Sequence, residues 1–457
     1  MTVKPNLKPS LPFQSLILSA IAIIVCINFV AWGGVPRGEA VPLFWIGVGL
    51  LILICAGFGW LTWHLLFRQL PAGHRLPAAT SAPASIRLLI ATLLGIASLY
   101  LVVGGFWDEV WHRQYGLPFG DDFFWRPHIM MYFCFGAVML LGMYSLYQLM
   151  RAGQGTFQQR FRANPILGLV VLVAAFLFFA LPADPIWHSI YGEDLSAWSI
   201  PHLLLFFAFA SVMLLAVALQ LSTIPVQNWR GVWRLGLSDL IPLLMIASIV
   251  LTMGQLMLTE WDNMTRLTPL MQSRPEWLLP AIIVGLVAGV GTLINHALRC
   301  VGAATVSVLL ALGTRLLLIR LFETNIMSAD GWLLMIAPAL LLDLWYALRL
   351  RQSDRRLLWL GGALAAALGT LVISYPLAER LYPVFQVQNM PLMVIIIVLT
   401  SIGTGWLGTQ VGDYLATANK FVESAPITVP VRAVSIGGLL ASMALIVVLV
   451  VTATPPI

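Results

Sequence analysis

Charged residues are scarce in this 457-residue chain, at 10%, whereas a typical soluble domain contains about 25%. Hydrophobic residues make up 60% of it. A water-soluble fold cannot cover that much apolar surface with so few charges. The composition therefore excludes a soluble enzyme, a secreted disulfide scaffold and a disordered protein. It indicates a polytopic membrane protein.

Cysteine is also scarce, and the 4 cysteines lie in or beside apolar runs without forming a Cys-x-x-Cys pair. This spacing supports neither a zinc ribbon nor a disulfide framework. The phosphate-binding glycine loop, the His-Glu-x-x-His zinc motif and the dinucleotide fingerprint are missing as well. The net charge of +6 is typical of a membrane chain whose basic residues set its topology, so we expect no nucleic-acid partner.

Long apolar runs are what the sequence has in abundance. A spanning helix needs about 20 predominantly apolar residues, and this length predicts an all-α protein of about thirteen transmembrane helices. The predicted spans lie near 13–33, 42–67, 87–107, 128–150, 165–183, 202–225, 237–259, 277–298, 302–322, 331–349, 358–375, 390–412 and 431–452. We divide the chain into two N-terminal helices (1–86), a region of repeated helical hairpins (87–225) and a C-terminal helical region without His ligands (226–457).

Basic residues cluster in alternate connections between the predicted spans, as in the pair Arg160 and Arg162 and the pair Arg355 and Arg356. Most of the carboxylates lie in the other set of connections. The positive-inside rule then predicts a cytoplasmic N-terminus and an external C-terminus, in a bacterial inner membrane with lipid as the surrounding partner. His296 falls near a cytoplasmic helix end, where we interpret it as satisfied by hydrogen bonds.

Two of the predicted outer connections carry the same pattern of residues. Both fit Asp-x-x-Trp-His-x-x-Tyr-Gly, followed by Trp, one or two residues, and Pro-His. The first copy contains Asp108, His112 and His128 (the first trio), and the second contains Asp184, His188 and His202 (the second trio). Internal repeats of this kind mark duplicated structural units.

The spacing predicts a candidate metal site in each copy. Asp and His four positions apart share one face of a helix end, and Pro opens the returning helix at a favoured first-turn position. One carboxylate and two imidazoles are a common ligand set for a divalent transition metal, with positions left open for water or substrate. On ligand type alone, copper, zinc, iron and manganese all remain possible. The alternative is that these residues only cap helix ends and hydrogen-bond to each other.

The pattern Asp108-x3-His112…Pro127-His128, followed by Asp184-x3-His188…His202, resembles the C subunit of the copper membrane monooxygenases, the particulate methane and ammonia enzymes. The resemblance covers about residues 87–225. In that family the second site begins with Asn, whereas this chain has Asp184. The resemblance implies copper at both trios and insertion of oxygen from O₂ into a small apolar or ammonia-like substrate. It also implies other subunits, including a soluble copper-binding or electron-donating partner.

We therefore expect a metal-dependent membrane oxidase of monooxygenase type, with copper preferred and zinc or iron as other possible metals, acting at the outer face. One alternative is a non-catalytic metal-binding or structural subunit of a membrane complex. Another is a glycosyltransferase that uses a lipid-linked sugar, because Asp108 and Glu109 form a carboxylate pair in an outer connection. Tightly held metal distinguishes the first two classes from the third.

Overall fold

The computed structural model describes residues 40–67, 83–115, 124–151, 155–191, 198–224, 228–262, 274–349, 355–382, 389–417, 427 and 429–454. Helices account for nearly all of them. In chain order they are α1 (Ala40–Thr62), α2 (Ala84–Tyr115), α3 (Arg126–Arg151), α4 (Phe157–Ala163), α5 (Pro165–Ala180), α6 (Ala183–Tyr191), α7 (Ile200–Leu221), α8 (Leu237–Asp262), α9 (Leu278–Leu298), α10 (Ala303–Leu321), α11 (Asp330–Leu333), α12 (Ile336–Arg349), α13 (Arg355–Gly369), α14 (Tyr375–Leu381), α15 (Met390–Thr417) and α16 (Val429–Val451). Two strands of two residues each, β1 (Arg230–Gly231) and β2 (Cys300–Val301), pair in parallel.

Within these ranges, 12 helical segments are long and apolar enough to cross a membrane. They coincide with the predicted spans from the second to the thirteenth, including the one that contains Arg315 and Arg320. The first predicted span, 13–33, lies outside the described residues. The chain is therefore an all-α, polytopic membrane protein, as its composition predicted.

Several helices extend further than their apolar runs. Helix α2 continues to Tyr115, so Asp108 and His112 lie in its last turns. The corresponding span of the second copy continues to Tyr191 through the short helix α6, which begins after a break at residues 181–182. Pro182 stands at this break, where a residue without a backbone N–H cannot continue the hydrogen-bonded ladder.

The two hairpins pack together as a group of four helices. Helix α2 contacts α3 and α7, and α5 contacts the same two helices. Their shared core includes one completely buried side chain from each helix: Leu94, Val138, Leu177 and Val212. Because the hairpins run side by side, their connecting ends lie at the same end of the group.

The C-terminal region packs onto this group through α8, which contacts α7, α2 and α10. Its most extensive helix pair is α9 with α15. Glycines allow the two backbones to approach closely, since a Cβ atom on Gly408 would overlap the carbonyl oxygen of Gly289. Close approach at small residues is a main source of helix association in membranes.

Several buried polar groups lie at the end of the molecule opposite the two trios. Arg87, at the start of α2, donates from Nε to Ser222 Oγ at 3.1 Å. His296, which is 1% exposed, lies 3.0 Å from Asp413 Oδ1 through Nδ1 and 2.9 Å from Tyr346 Oη through Nε2. The hydrogen bonds expected for His296 are therefore present, and they join α9 to α15 and α12.

Candidate metal centre

The first trio lies where α2 ends and α3 begins. His112 follows Asp108 by one helical turn, and its Nε2 atom lies 3.5 Å from Asp108 Oδ1. His128, directly after Pro127 in the first turn of α3, places its Nε2 atom 2.9 Å from the same oxygen. One ligand atom from each of the three residues lies within 4.8 Å of the other two. The structure therefore brings together all three residues that the sequence predicted for this site.

Gly104, which the sequence analysis did not identify, allows α2 and α3 to lie close together at the first trio. Gly104 lies one turn before Asp108, and a Cβ atom there would be 2.9 Å from the carbonyl oxygen of Pro127 and 3.1 Å from Met131 Cγ. The absence of a side chain lets α3 begin directly against α2. The sequence signal for this role was a glycine one turn before the aspartate, because two helix backbones approach this closely only where a Cβ atom is missing.

The second trio forms a similar but more open arrangement. Asp184 Oδ1 lies 3.6 Å from His188 Nε2 and 3.5 Å from His202 Nε2. The His202 side chain is 32% exposed, compared with 18% for His128. Among the described residues, the first trio is the group of His, Cys, Asp and Glu side chains whose ligand atoms all lie within 4.8 Å of one another. The carboxylate of the second trio thus meets both imidazoles, but the three ligand atoms converge less closely.

Both aspartates point a buried oxygen at their histidines. Asp108 Oδ1 and Asp184 Oδ1 are both buried, and each lies close to Nε2 of two imidazoles. A buried carboxylate is unfavourable unless a cation or a hydrogen-bond donor compensates its charge. A cation between the carboxylate and the imidazoles fits this arrangement.

Aromatic rings enclose the first trio. The indole of Trp125 stacks on the His112 imidazole, with centroids 5.3 Å apart and planes at 28°. It also lies nearly parallel to His128 at 6.3 Å. Tyr132, one turn after His128 in α3, lies with its ring centroid 6.0 Å from that of His128. These rings fix the orientation of the imidazoles and limit the access of water to them.

The acidic residues beside the first trio have other roles. Glu109 forms an ion pair with Arg113, one turn along the same helix, so its carboxylate is engaged away from Asp108. The loop carboxylates of the two connections, namely Asp121, Asp122, Glu193 and Asp194, lie outside the described residues. Within the described residues, the first trio therefore takes its carboxylate from Asp108.

No family model, curated protein or solved structure matches this chain. The chemistry of the site must therefore be argued from its own residues. These offer one carboxylate and two imidazoles, at distances that a single cation can bridge, at the end of a helical hairpin.

Proposed function

We propose that the chain is an integral membrane oxidase of monooxygenase type, dependent on a transition metal, with copper preferred, and acting on a small substrate at the outer face. The observation that supports the proposal is the convergence of Asp108, His112 and His128 within 4.8 Å of one another. The likeness of the repeated pattern to the C subunit of the copper membrane monooxygenases supplies the reaction class.

The donor set fits the proposed ion. Two imidazoles suit copper, zinc and iron, and a single carboxylate leaves positions open for other ligands. When bound, a copper ion would supply one-electron redox chemistry and an open position for O₂ or substrate. Each carboxylate lowers the net charge of a trio that holds a cation.

The remaining residues orient and shield the site. Asp108 Oδ1 faces Nε2 of both imidazoles, so Nδ1 of each ring carries the proton when Nε2 acts as a ligand. Trp125, stacked on both rings, restricts their rotation. Such positioning groups tune both the affinity of a metal site and the access of solvent to it.

The distribution of basic residues supports the proposed location at the outer face. Arg87 and Arg299 lie at the end opposite the two trios, together with the pair Arg230 and Asp239. Under the positive-inside rule this end is cytoplasmic. We propose that the trios face the periplasmic side of a bacterial inner membrane.

Elemental analysis of the purified protein tests the proposal. We expect one or two transition-metal ions per chain, and the double substitution His112→Ala with His188→Ala should abolish this content, because each trio loses an imidazole. The matched control is His296→Ala, which removes a histidine from the opposite end and should leave the metal content unchanged. If copper, zinc and iron are the same in the double variant and in the unaltered protein, the assignment is wrong.

A non-catalytic metal-binding subunit is the second candidate, and one observation favours it. Outside the twelve long helices, the described part of the chain contains only the seven-residue helix α4, one short 3₁₀ turn and the β1–β2 pair. These offer no soluble domain that could deliver electrons, so we propose a soluble copper-binding or electron-donating partner. O₂ consumption by the metal-loaded chain, measured with and without added reductant, distinguishes a catalytic chain from a metal-holding subunit.

The glycosyltransferase alternative is less well supported. It requires a free carboxylate pair, and Glu109 is engaged with Arg113. It also leaves the four repeated histidines without a role. A metal-free protein that transfers sugar from a lipid carrier would favour this alternative over the oxidase.

A further inference from the structure

A continuous series of aromatic rings leads from the first trio to the surface. It starts at His112, whose ring stacks on Trp125, and passes to Trp111, with the two indole centroids 5.7 Å apart. Trp111 is 7% exposed and contacts Tyr115 at 6.4 Å. Tyr115 ends α2 and is 42% exposed. Each step of the series is thus a direct contact between neighbouring rings.

The second hairpin carries the same aromatic residue types but arranges them differently. Trp125 precedes His128 by three positions, whereas Trp198 precedes His202 by four. One residue corresponds to a rotation of roughly 100° around a helix. The Trp198 ring lies against Trp261 at 5.7 Å and donates its N–H to the carbonyl oxygen of Leu256 at 3.0 Å.

We propose that Trp125, Trp111 and Tyr115 form an electron relay between the first trio and the outer surface, an inference that rests on the proposed oxidase function. Indole and phenol are the aromatic side chains most easily oxidised by one electron, and direct ring contact favours transfer between them. The relay supplies reducing equivalents to the site, or removes an oxidising equivalent that remains there when no substrate is bound.

The step balances as follows in electrons and protons. The Trp125 indole gives one electron to the oxidised site, Trp111 reduces Trp125, and Tyr115 reduces Trp111 while releasing its phenolic proton to water. A water-soluble thiol then returns one electron and one proton to Tyr115 and becomes a thiyl radical, and two such radicals combine as a disulfide. The exposure of Tyr115 matters for both the proton and the thiol, since a fully buried phenol could exchange neither.

The first test locates the oxidised residue in copper-loaded protein. The protein is treated with hydrogen peroxide in the presence of a nitrone spin trap, and the adducts are mapped by mass spectrometry. We expect an adduct on Tyr115 that is lost in Trp111→Phe, with oxidation moving back to Trp125 and His112. Trp187→Phe, at the corresponding position of the second hairpin, should keep the Tyr115 adduct. Persistence of the adduct in Trp111→Phe would overturn the relay.

A second variant tests the relay even if Trp111→Phe fails to fold. Tyr115→Phe removes one hydroxyl from an exposed ring, and it should move the trapped radical to Trp111. Tyr191→Phe, its counterpart in the second hairpin, should leave the pattern unchanged. If Tyr115→Phe yields no adduct on Trp111, or if Tyr191→Phe alters the pattern equally, the proposal is wrong.

A metal-free measurement separates failure of the relay from failure of the proposed function. A ruthenium photosensitiser is attached to the new cysteine of the Tyr115→Cys variant, prepared without metal. A laser flash then creates the oxidising equivalent at position 115. We expect the transient absorption of a tryptophanyl radical, and its loss when Trp111→Phe is added. An unchanged signal refutes the relay whatever metal the protein binds. A positive signal in a protein that never retains copper supports ring-to-ring transfer and counts against the oxidase.

Discussion

Gly408 lies where α9 and α15 cross, and replacing it with alanine should separate the two helices. An added Cβ would overlap the carbonyl oxygen of Gly289 and the hydroxyl of Thr292. A backbone oxygen cannot swing aside as a flexible side chain can, so the strain of overpacking should cost about 1–3 kcal/mol. Separation also weakens the bond that Thr292 Oγ1 donates to Gly405 O at 3.1 Å, worth about 0.6 kcal/mol within a membrane. We expect a total loss of about 2–4 kcal/mol in the free energy of unfolding.

The assay is a titration of the purified protein in mixed micelles with sodium dodecyl sulfate, followed by circular dichroism. Gly403→Ala is the matched control, because Gly403 lies on the same helix and a Cβ there would meet nothing within 4 Å. We expect this control to leave the free energy unchanged or to raise it by up to about 1 kcal/mol, because alanine is a better helix former than glycine. Equal stability of the two variants would refute the proposed crossing.

Two further predictions concern the metal site and a buried thiol. Gly104→Ala should lower metal affinity roughly 10- to 100-fold, because it moves His128 away from Asp108. Gly105→Ala is the control and should leave the affinity unchanged, because its Cβ would meet nothing within 4 Å. Metal titration followed by elemental analysis measures both affinities. Burial raises the pKa of Cys300 to about 12, so at mildly alkaline pH its thiol stays neutral in the folded protein and should react with iodoacetamide only after unfolding. Alkylation of folded protein at Cys300, detected by mass spectrometry, would contradict its burial.

The sequence was sufficient to predict the helices themselves. Whether a segment can cross a membrane depends on its own length and composition, and both can be read without knowing its neighbours. The spans predicted for the described part of the chain are all present, even the one interrupted by Arg315 and Arg320. Their ends were less predictable, since α2 continues through the polar residues up to Tyr115.

The candidate site was predictable in part. Asp108 and His112 share a helix face by their spacing alone, and Pro127 correctly marked the start of the returning helix. The sequence could not show that the first trio converges more closely than the second. That difference depends on how two helices approach each other, and at the first site this is decided by the missing side chain of Gly104.

Residue types and their intervals thus determined that the chain is a bundle of membrane helices with two matching hairpins. Only the tertiary structure decided which atoms of those hairpins meet. A single extra residue before Pro201 turns Trp198 toward Trp261, whereas Trp125 stacks on its histidines. Likewise, His296 and Asp413 are 117 positions apart and meet because α9 and α15 cross at their glycines. Contacts of this kind depend on the rotation and crossing of whole helices, which local sequence patterns do not encode.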